Sequence, residues 1–543
     1  MPNLTTKQFR GLSLGVLLVG LFLRFYKLDF SPPGLFPDQA INGLEAIYST
    51  LQVQHSHWGN NIEALYILLL KIAFLLFGDT KSTIHYLSAT IGIATIPLLI
   101  YVVGKIEGKL TGLLAGIFIA TSSWHIVVSR SGERYVLIPL ILALILWQLN
   151  NWHRQRRIIN LILISGLISL GFYTYSAYKV MLLILPVGIY YTIQHYKLSA
   201  KEILVSLTAG LAVALPLLTY VVTNFDQYNS RMTEISILSN HPLAEVPKLI
   251  ILQIMSLFTG LFISGTSTRL FNFGPDPFFT SLVALLFGYG LLITIINSMS
   301  NNDRSKKTKL YLYSLVAAIA PTILTYEPGV SAAHGGRLTF FFPIAYLIAA
   351  IGGRELFNSA GRLISRNYTK LQTALLVAII IYLGIGTFSS MNSMFGSAQE
   401  ANDYRHDLYL IGNLLKQNSK LREHKQRGSN FYLIDQEFMR FSLDFYLHDD
   451  SLYNQGTQQL NKTNENYSPV YMDFGRIDEY NKDNIELKTN DIIILPAFSA
   501  LEDQGYITLH TLLTRYPQIN LIYKSEILAP EDNARPMFKI YQL

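Results

Sequence analysis

Long apolar runs recur through the first 390 residues, and they constrain the fold more than any other feature of the sequence. A helix needs about 20 mainly apolar residues to cross the hydrocarbon core of a bilayer. The first run, residues 11–23, follows Lys7 and Arg10. Ten further runs lie at 84–104, 110–128, 135–150, 158–174, 180–196, 203–222, 277–297, 310–326, 338–353 and 371–389. The sequence therefore predicts an α-helical polytopic membrane protein with about 11 transmembrane helices.

The composition excludes several other classes of protein. Only 15% of the residues are charged and 50% are hydrophobic, whereas a soluble domain carries about 25% charged residues. The net charge of +7 comes mostly from basic residues in short loops between apolar runs. Basic residues at such positions indicate which side of the membrane a loop lies on, and they do not indicate nucleic-acid binding. The chain has no cysteine, which excludes disulfides, thiol catalysis and thiolate zinc sites. No small-residue cleavage site follows the first run, so we expect an uncleaved first span.

One further apolar run decides the predicted topology. "IEALYILLLKIAFLLFG" (62–78) is short and is interrupted by Lys71, as expected of a helix that lies at the membrane interface. If this run does not cross, the basic loops at 105–109, 153–157, 197–201, 303–309 and 354–370 share the side of the N-terminus. Because basic loops favour the cytoplasmic side, we predict that 62–78 does not cross and that the N-terminus is cytoplasmic.

The opposite, extracytoplasmic side then receives long loops and a separate domain. Residues 1–390 form the predicted transmembrane domain, with external loops at 26–83 and 223–276. In residues 391–543 the apolar runs become short and β-rich, as in "NFYLID", "DIIILPA" and "FKIYQL". This pattern predicts a soluble extracytoplasmic α/β domain, without a glycine-rich phosphate loop. The predicted location is the cell membrane, with a multi-pass topology and contacts to membrane lipids.

Ionisable residues avoid the apolar runs and gather at the external helix ends. They are Asp38, Glu45, His55, His57, Arg130, Glu133, Arg134, Lys179, Arg231, Arg269, His334 and Arg337. Ion-coupled transporters need charged groups near the bilayer midplane, and the apolar runs are almost free of them. The distribution therefore favours chemistry on a lipid headgroup over passage through the bilayer.

Asp38 is the most informative single residue. It stands in "SPPGLFPDQAINGLEAIYST" (31–50), where prolines and Gly34 fix a turn before a stretch that is typical of a helix. Two roles are open at this position. Asp38 could cap the helix, or it could be a general base that deprotonates an acceptor hydroxyl near the membrane face.

The hairpin "SSWHIVVSRSGERYVLIP" (122–139) carries more ionisable residues between two spans. In a functional interpretation, Arg130 or Arg134 binds a phosphate, because guanidinium groups match the geometry of phosphate oxygens. In the same interpretation, Glu133 binds a hydroxyl group of the substrate. The structural alternative is ordinary anchoring among lipid headgroups.

Two more external motifs offer binding groups. "AAHGGRLTFFFP" (332–343) places His334 and Arg337 beside two glycines, which allow close backbone approach. Phosphate binding is the functional interpretation, and positive charges that end a span are the structural one. A metal site is not expected, because no carboxylate or histidine stands at ligand spacing. "GFYTYSAYK" (171–179) contains Tyr175 and Lys179, and an aromatic belt at the interface explains it equally well.

Together these stretches resemble the GT-C class of membrane glycosyltransferases. Within that class the sequence is most similar to bacterial and archaeal protein O-mannosyltransferases and lipid A aminoarabinose transferases. "LRFYKLDFSPPGLFPDQAINGLEAIYSTLQ" resembles the first external loop of that group. "SSWHIVVSRSGERY", "GFYTYSAYK", "FDQYNSRMTEISIL" and "SAAHGGRLTFFFP" follow in the order of its later motifs. The resemblance covers residues 10–360 well.

The resemblance implies an inverting transferase that moves a sugar from a polyprenyl-phosphate carrier to a hydroxyl acceptor on the extracytoplasmic face. Asp38 matches the catalytic aspartate. The implied substrate-binding residues are Arg130, Glu133, Arg134, Tyr175, Lys179, His334 and Arg337. No cofactor is expected, and neither the oligosaccharyltransferase Trp-Trp-Asp signature nor an Asp-x-Asp metal pair is present. Gln39 stands where the group has a second acid, and a transporter or flippase of lipid-linked glycans is the alternative function.

Overall fold

The computed structural model describes residues 4–50, 52–57, 60–196, 198–266, 268–300, 303–363, 368–435, 441–450, 474–477, 484, 486–497, 502–529 and 532–543. Most of them are helical. The elements up to residue 394 are α1 (Thr6–Phe25), α2 (Pro37–Tyr48), β1 (Gln54–His57), β2 (Asn60–Glu63), α3 (Ala64–Phe77), α4 (Lys81–Ile106), α5 (Lys109–Ala120), α6 (Ser123–Ser131), α7 (Leu137–Gln155), α8 (Ile158–Gly171), α9 (Met181–Tyr196), α10 (Ala200–Thr223), α11 (Phe225–Ile235), α12 (Ile237–Asn240), α13 (Val246–Phe262), α14 (Ser281–Ser298), α15 (Asp303–Ile323), α16 (Phe341–Leu363) and α17 (Tyr368–Met394). Two 3₁₀ helices, Arg134–Val136 and Ser176–Val180, precede α7 and α9.

Each of the eleven apolar runs coincides with a helix or, in one case, with a bent pair of helices. Within the described residues, seven helices are long and apolar enough to cross a membrane. The count is eight if α5 and α6, which meet at an angle of 57°, form one span. The bend has a local cause, because the Ser122 hydroxyl accepts a hydrogen bond from the His125 N–H (3.2 Å) and starts a new helix. A polytopic helical fold is thus confirmed, and the number of eleven spans stays a prediction.

Helix α3 covers the run whose crossing was in question. Its 14 residues reach about 21 Å, less than the roughly 30 Å of a bilayer core. Just before it, Glu63 pairs with Arg134 (3.3 Å), and just after it the Lys81 ammonium donates to the carbonyl of Pro33 (3.1 Å). Arg134 and Pro33 both lie beside α2. The two ends of α3 therefore lie at the same end of the bundle. Lys71 donates to the Ser49 carbonyl (2.7 Å), which explains a lysine in this apolar helix.

Two fully buried arginines fasten the end of α1. The Arg24 guanidinium donates to the Ala120 carbonyl (3.0 Å) at the end of α5, and it contacts His125 Nδ1 (2.6 Å). Arg130 donates to the carbonyls of Arg24 (3.0 Å) and Ser31 (2.6 Å). Carbonyl groups at a helix end have no partner within the helix, so these guanidiniums satisfy them and hold the chain that leads to α2.

The C-terminal part contains the predicted sheet. Its elements are α18 (Ala398–Asp403), α19 (His406–Gln417), α20 (Ser419–Gln426), β3 (Phe431–Ile434), α21 (Phe441–Leu447), β4 (Phe474–Ile477), β5 (Ile492–Pro496), α22 (Glu502–Arg515), β6 (Asn520–Lys524), β7 (Leu528–Ala529), β8 (Asp532–Pro536) and β9 (Phe538–Gln542). Five strands form one sheet in the order β4-β3-β5-β9-β6. The first three strands are parallel, and β9 is antiparallel to both of its neighbours. The expected α/β architecture is confirmed, whereas the boundary at residue 390 stays a prediction.

Tyr404, which follows α18, and helix α21 pack directly on the loop and helix that carry Asp38. A side chain at Gly34 would approach the Tyr404 carbonyl oxygen to 2.1 Å, so only glycine allows this contact. Ser442 donates to the Leu35 carbonyl (2.7 Å). A Cβ at Gly43 would lie 2.4 Å from the ring of Phe445. The C-terminal helices therefore set the position of α2.

Candidate active site

Asp38 is the second residue of α2, and it is not the helix cap. Phe36 precedes the helix, and Pro37 begins it, where its fixed φ is compatible and its missing N–H costs nothing. The side chain of Gln39 accepts the Phe36 N–H (3.1 Å) and so takes the capping role. Among the described residues, none donates a hydrogen bond to the Asp38 carboxyl group. Its structural contribution is limited to a negative charge in the first helical turn, worth about 0.3–1 kcal/mol.

The surroundings of Asp38 separate it from the rest of α2. Pro37 and residues 39–46 are buried, while the Asp38 side chain is exposed. Protein atoms nevertheless surround it closely enough for burial to raise the pKa of its carboxyl, against the opposing charges of Arg134 and Arg231. A carboxylate that lines a recessed cavity accounts for both observations. The helix thus presents one carboxylate to a space that a substrate can occupy.

A second carboxylate lies beside the first. Glu133 precedes the 3₁₀ helix Arg134–Val136, and its Oε1 accepts a hydrogen bond from the Gln39 amide (3.2 Å). Burial and then the charge of Asp38 raise the pKa of Glu133, although Arg134 and the bond from Gln39 oppose the shift. Gln39, which replaces the second acid of the resembling group, therefore binds Glu133 without adding a charge of its own.

Arg134 stands among these acids and is held on three sides. Its Nε lies 3.3 Å from Glu63 Oε2, and its Nη1 donates to Asn42 Oδ1 (2.6 Å). Its guanidinium carbon lies 6.0 Å from the ring centroid of Tyr175. One guanidinium thus faces the carboxylates of Asp38, Glu63 and Glu133, so this side of the cavity carries an excess of negative charge.

Tyr175 lies near both Arg134 and the loop that carries His334 and Arg337. Its ring lies 5.2 Å from that of Tyr135, and a Cβ at Gly336 would come within 3.0 Å of its hydroxyl. Burial raises the pKa of Tyr175 to about 12, so the phenol stays protonated and can donate a hydrogen bond. Lys179 lies 4.0 Å from the ring centroid of Tyr228 and 3.5 Å from Asn229 Oδ1, both in α11. Lys179 thus packs on α11, and the binding roles of Tyr175 and Lys179 stay predictions.

Two further arginines lie near the site, where the charge of Arg231 acts on Asp38 and that of Arg337 on Tyr175. Arg337 and Arg231 both pair with Glu327, and Arg231 also pairs with Glu234 (2.9 Å). His334 packs against Phe271 in a tilted arrangement, with 4.1 Å between ring centroids. Burial and then the charge of Arg337 lower the pKa of His334 to about 3, so its imidazole is neutral at physiological pH.

The structure gives Arg130 a different position from the other predicted site residues. Its guanidinium is fully buried and is engaged with carbonyl groups at the end of α1, as described above. These contacts direct it away from a ligand and assign it to the framework. Arg269 likewise donates to the Phe273 carbonyl of its own loop. His55 and His57 lie in β1, and their side chains are outside the described residues.

Three polar residues of the site were missed by the sequence analysis. Asn42 and Glu63 fix Arg134, and Glu327 joins two arginines. The signal for Asn42 was available, because it lies one helical turn after Asp38 on the same helix. The pairing of Glu327 depends on a tertiary contact between distant segments, and no local pattern indicates it.

In the described residues we looked for a metal-binding cluster and for a pocket away from Asp38 that could involve the predicted site residues. In the described part of the chain, no three histidine, aspartate or glutamate side chains are grouped so as to hold a metal ion. A pocket with a mixed wall lies at the bend between α5 and α6, and Thr121, Asn272, Asp276, Phe278 and Tyr346 are among the residues that line it. None of the predicted site residues lines that pocket. The chemistry-bearing residues are thus concentrated around Asp38.

Solved structures share this arrangement of helices and sheet. The chain is similar over 98% of its length to ArnT from Cupriavidus metallidurans bound to undecaprenyl phosphate, with 97% of that chain covered, a TM-score of 0.53 and 12% identity. It is similar over 93% of its length to an oligosaccharyltransferase from Archaeoglobus fulgidus tethered with an acceptor peptide, with 71% of that chain covered, a TM-score of 0.54 and 12% identity. The chain has the GT-C membrane glycosyltransferase fold. No protein-family model and no curated protein sequence matches it.

The GT-C fold confirms the fold that the motif resemblance implied. Sequence identity of 12% is too low to carry residue roles from one protein to the other. The roles of Asp38, Arg134 and Arg337 must therefore be argued from their own surroundings in this chain.

Proposed function

We propose that this protein is an inverting glycosyltransferase that moves a sugar from a polyprenyl-phosphate carrier to a hydroxyl acceptor on the extracytoplasmic face. The observation that carries the proposal is the setting of Asp38, a single exposed carboxylate on an otherwise buried helix in a GT-C fold. One structure with that fold holds undecaprenyl phosphate, and another holds an acceptor peptide. A lipid-linked donor and an external acceptor suit a cavity at the end of the bundle.

In the proposed reaction Asp38 is the general base. The acceptor oxygen attacks the anomeric carbon of the donor, the bond from that carbon to the phosphate oxygen breaks, and the hydroxyl proton passes to Asp38. A carboxyl with a raised pKa suits this step, because a base is most effective when its pKa lies near the working pH. The nearby charges of Arg134 and Arg231 favour the ionised form and so keep the base available.

The leaving group is a polyprenyl phosphate, which gains negative charge as the bond breaks. Guanidinium groups fixed in place stabilise such charge without rearrangement during the reaction. Arg337 is the best candidate, since it is buried and its charge acts on Tyr175. Tyr175 and the neutral His334 offer hydrogen bonds to the sugar or phosphate.

Purified protein with a radiolabelled polyprenyl-phosphate sugar tests the proposal. We expect release of polyprenyl phosphate and transfer of the label to a hydroxyl acceptor in the presence of a membrane extract. Movement of intact labelled donor across a vesicle membrane, without bond cleavage, would instead support the transporter alternative. Absence of both activities in folded protein would reject an enzymatic role.

A further inference from the structure

One carboxylate holds two arginines of the candidate site. Glu327 contacts Arg231 through one oxygen and Arg337 through the other. Among the described ion pairs, Arg337 has no other acidic partner, whereas Arg231 is also paired with Glu234 (2.9 Å). The two guanidiniums come from distant segments, so Glu327 is what joins them.

The backbone presents Glu327 at a defined place. Its carbonyl accepts the Val330 N–H (3.1 Å), which closes a turn with Pro328 and Gly329 in the middle. Gly329 has φ +79°, the value that the third residue of a type II turn requires, and proline is favoured before it. The preceding Tyr326 N–H donates to the Ile235 carbonyl (2.8 Å) at the end of α11. The turn is therefore attached to the helix that carries Arg231.

The position of Glu327 matches the chemistry of a bound phosphate. A guanidinium binds carboxylate and phosphate oxygens through the same forked donors. A carboxylate that engages two arginines therefore occupies the donors that a phosphate would use, and two anions at that place would repel each other. The Glu327 side chain is 21% exposed and that of Arg337 only 9%, so the carboxylate can turn to solvent while the guanidinium stays.

We propose that Glu327 is an internal counter-ion, which the phosphate of the lipid-linked donor displaces when it binds between Arg231 and Arg337. This inference rests on the proposed function and adds Arg231 as a second phosphate-binding residue. In the absence of donor, Glu327 keeps both guanidiniums in place and neutralises part of their charge. With donor bound, the phosphate takes over both contacts and Glu327 moves to solvent.

A permanent structural ion pair makes the opposite prediction, and the chain offers a matched control. Glu234 pairs with Arg231 but has no contact with Arg337, and its side chain is 60% exposed. Glu234→Gln removes one carboxylate from the same arginine without clearing the proposed phosphate position. An exposed ion pair of this kind contributes little, so we expect a change in phosphate binding of less than about threefold.

The experiment measures binding of undecaprenyl phosphate, without a sugar, to purified detergent-solubilised protein. Glu327→Gln should bind this probe about 10-fold more tightly than the unchanged protein, because the competing charge-assisted contact is gone. Glu327→Asp should fall between the two, since its shorter carboxylate cannot reach both arginines. It also keeps the test valid if Glu327→Gln does not fold. Equal or weaker binding by a folded Glu327 variant would overturn the proposal.

The same measurement separates this inference from the proposed function. If the unchanged protein binds undecaprenyl phosphate and removal of the Glu327 charge does not tighten it, only the counter-ion role fails. If no variant binds the lipid phosphate, both ideas fail. Inorganic phosphate serves as a second probe, and we expect it to bind Glu327→Gln more weakly than the lipid phosphate. A response to inorganic phosphate alone would overturn the assignment to a lipid-linked donor.

Discussion

The acidic side of the site, formed by Asp38, Glu63 and Glu133, is built differently from the basic side, formed by Lys179, Arg231 and Arg337. On the acidic side three carboxylates face one guanidinium, and the surrounding side chains are buried. On the basic side one carboxylate joins two guanidiniums, and Arg231 is 45% exposed. The two sides meet near Tyr175.

This difference follows from where each side is attached. Helix α2 is held between the membrane helices and the C-terminal helices, through contacts such as Ser442 to Leu35 and Gly43 to Phe445. Arg231 lies on α11, within residues 223–276 that the sequence predicts to be external, and is attached through the turn of Glu327. A base must be held within a fraction of an ångström of its proton. A phosphate-binding wall can rearrange as the lipid enters, so we infer that the acidic side is fixed and the basic side adapts.

The variant Asp38→Asn separates the two sides most clearly, and we expect it to have the largest effect on sugar transfer. Loss of a positioned base typically costs about 10²–10⁴-fold in rate, so sugar transfer should fall by that factor. Donor binding should persist, because Asn keeps the shape and the basic side is untouched. Turnover and undecaprenyl-phosphate binding, measured on the same preparation, check both halves of this prediction.

Asp226 provides the matched control for Asp38. It is the second residue of α11, as Asp38 is of α2, and its side chain is also exposed. Asp226→Asn removes the same favourable charge from a first helical turn, worth at most about 1 kcal/mol, and should leave transfer almost unchanged. Equal losses in the two variants would mean that Asp38 acts only on its helix, and the base would have to be another residue.

The next largest effect concerns the basic side. Arg337→Ala should weaken donor affinity by about 10- to 100-fold, since a charge-assisted hydrogen bond contributes about 1.5–3 kcal/mol. The rate at saturating donor should fall less than in Asp38→Asn. Arg362→Ala, at an exposed position in the last turn of α16, is the control. Unchanged donor affinity in folded Arg337→Ala would reassign this arginine to anchoring the span.

The sequence was sufficient to predict the fold class, whereas the roles of the site residues stay predictions. Apolar runs reflect the bilayer thickness, so eleven of them coincide with helices even where the number of spans stays a prediction. "DIIILPA" and "FKIYQL" became β5 and β9, because β-rich runs between turns carry a local signal. The resemblance of several motifs in order then brought Asp38, Arg134 and Arg337 together before any contact was known.

What the sequence could not predict depends on contacts between distant segments. Arg130 and Arg134 both follow the same apolar stretch, yet one donates to carbonyls at the end of α1 and the other faces carboxylates. Nothing within the hairpin distinguishes them. Glu327 lies 96 positions from Arg231, and the packing of α21 on α2 spans about 400 residues of sequence. Local patterns give residue types and spacing, while tertiary packing decides which arginine binds a ligand.

A smaller effect tests whether the acidic side is held as firmly as we infer. In Gly43→Ala the new Cβ would lie 2.4 Å from the buried ring of Phe445, so α2 must shift. A displacement of this size should lower the transfer rate by about 10-fold and leave donor affinity unchanged. Gly15→Ala, which has nothing within 4 Å in α1, controls for the change of residue. The double variant Gly43→Ala/Phe445→Leu should recover part of the rate, and equal behaviour of Gly43→Ala and Gly15→Ala would refute the positioning role of α21.

The smallest effect is a shift in pH dependence within the acidic side. Burial raises the pKa of Asp38 and of Glu133, and the charge of Asp38 raises the pKa of Glu133 further. Because the base must be ionised, transfer should rise with pH at values above the ordinary carboxyl range. Glu133→Gln removes the neighbouring acid, whose charge repels that of the Asp38 carboxylate, so this rise should move to lower pH. Rate–pH profiles of the two proteins at saturating donor measure the shift, and coincident profiles would show that the carboxylates titrate independently.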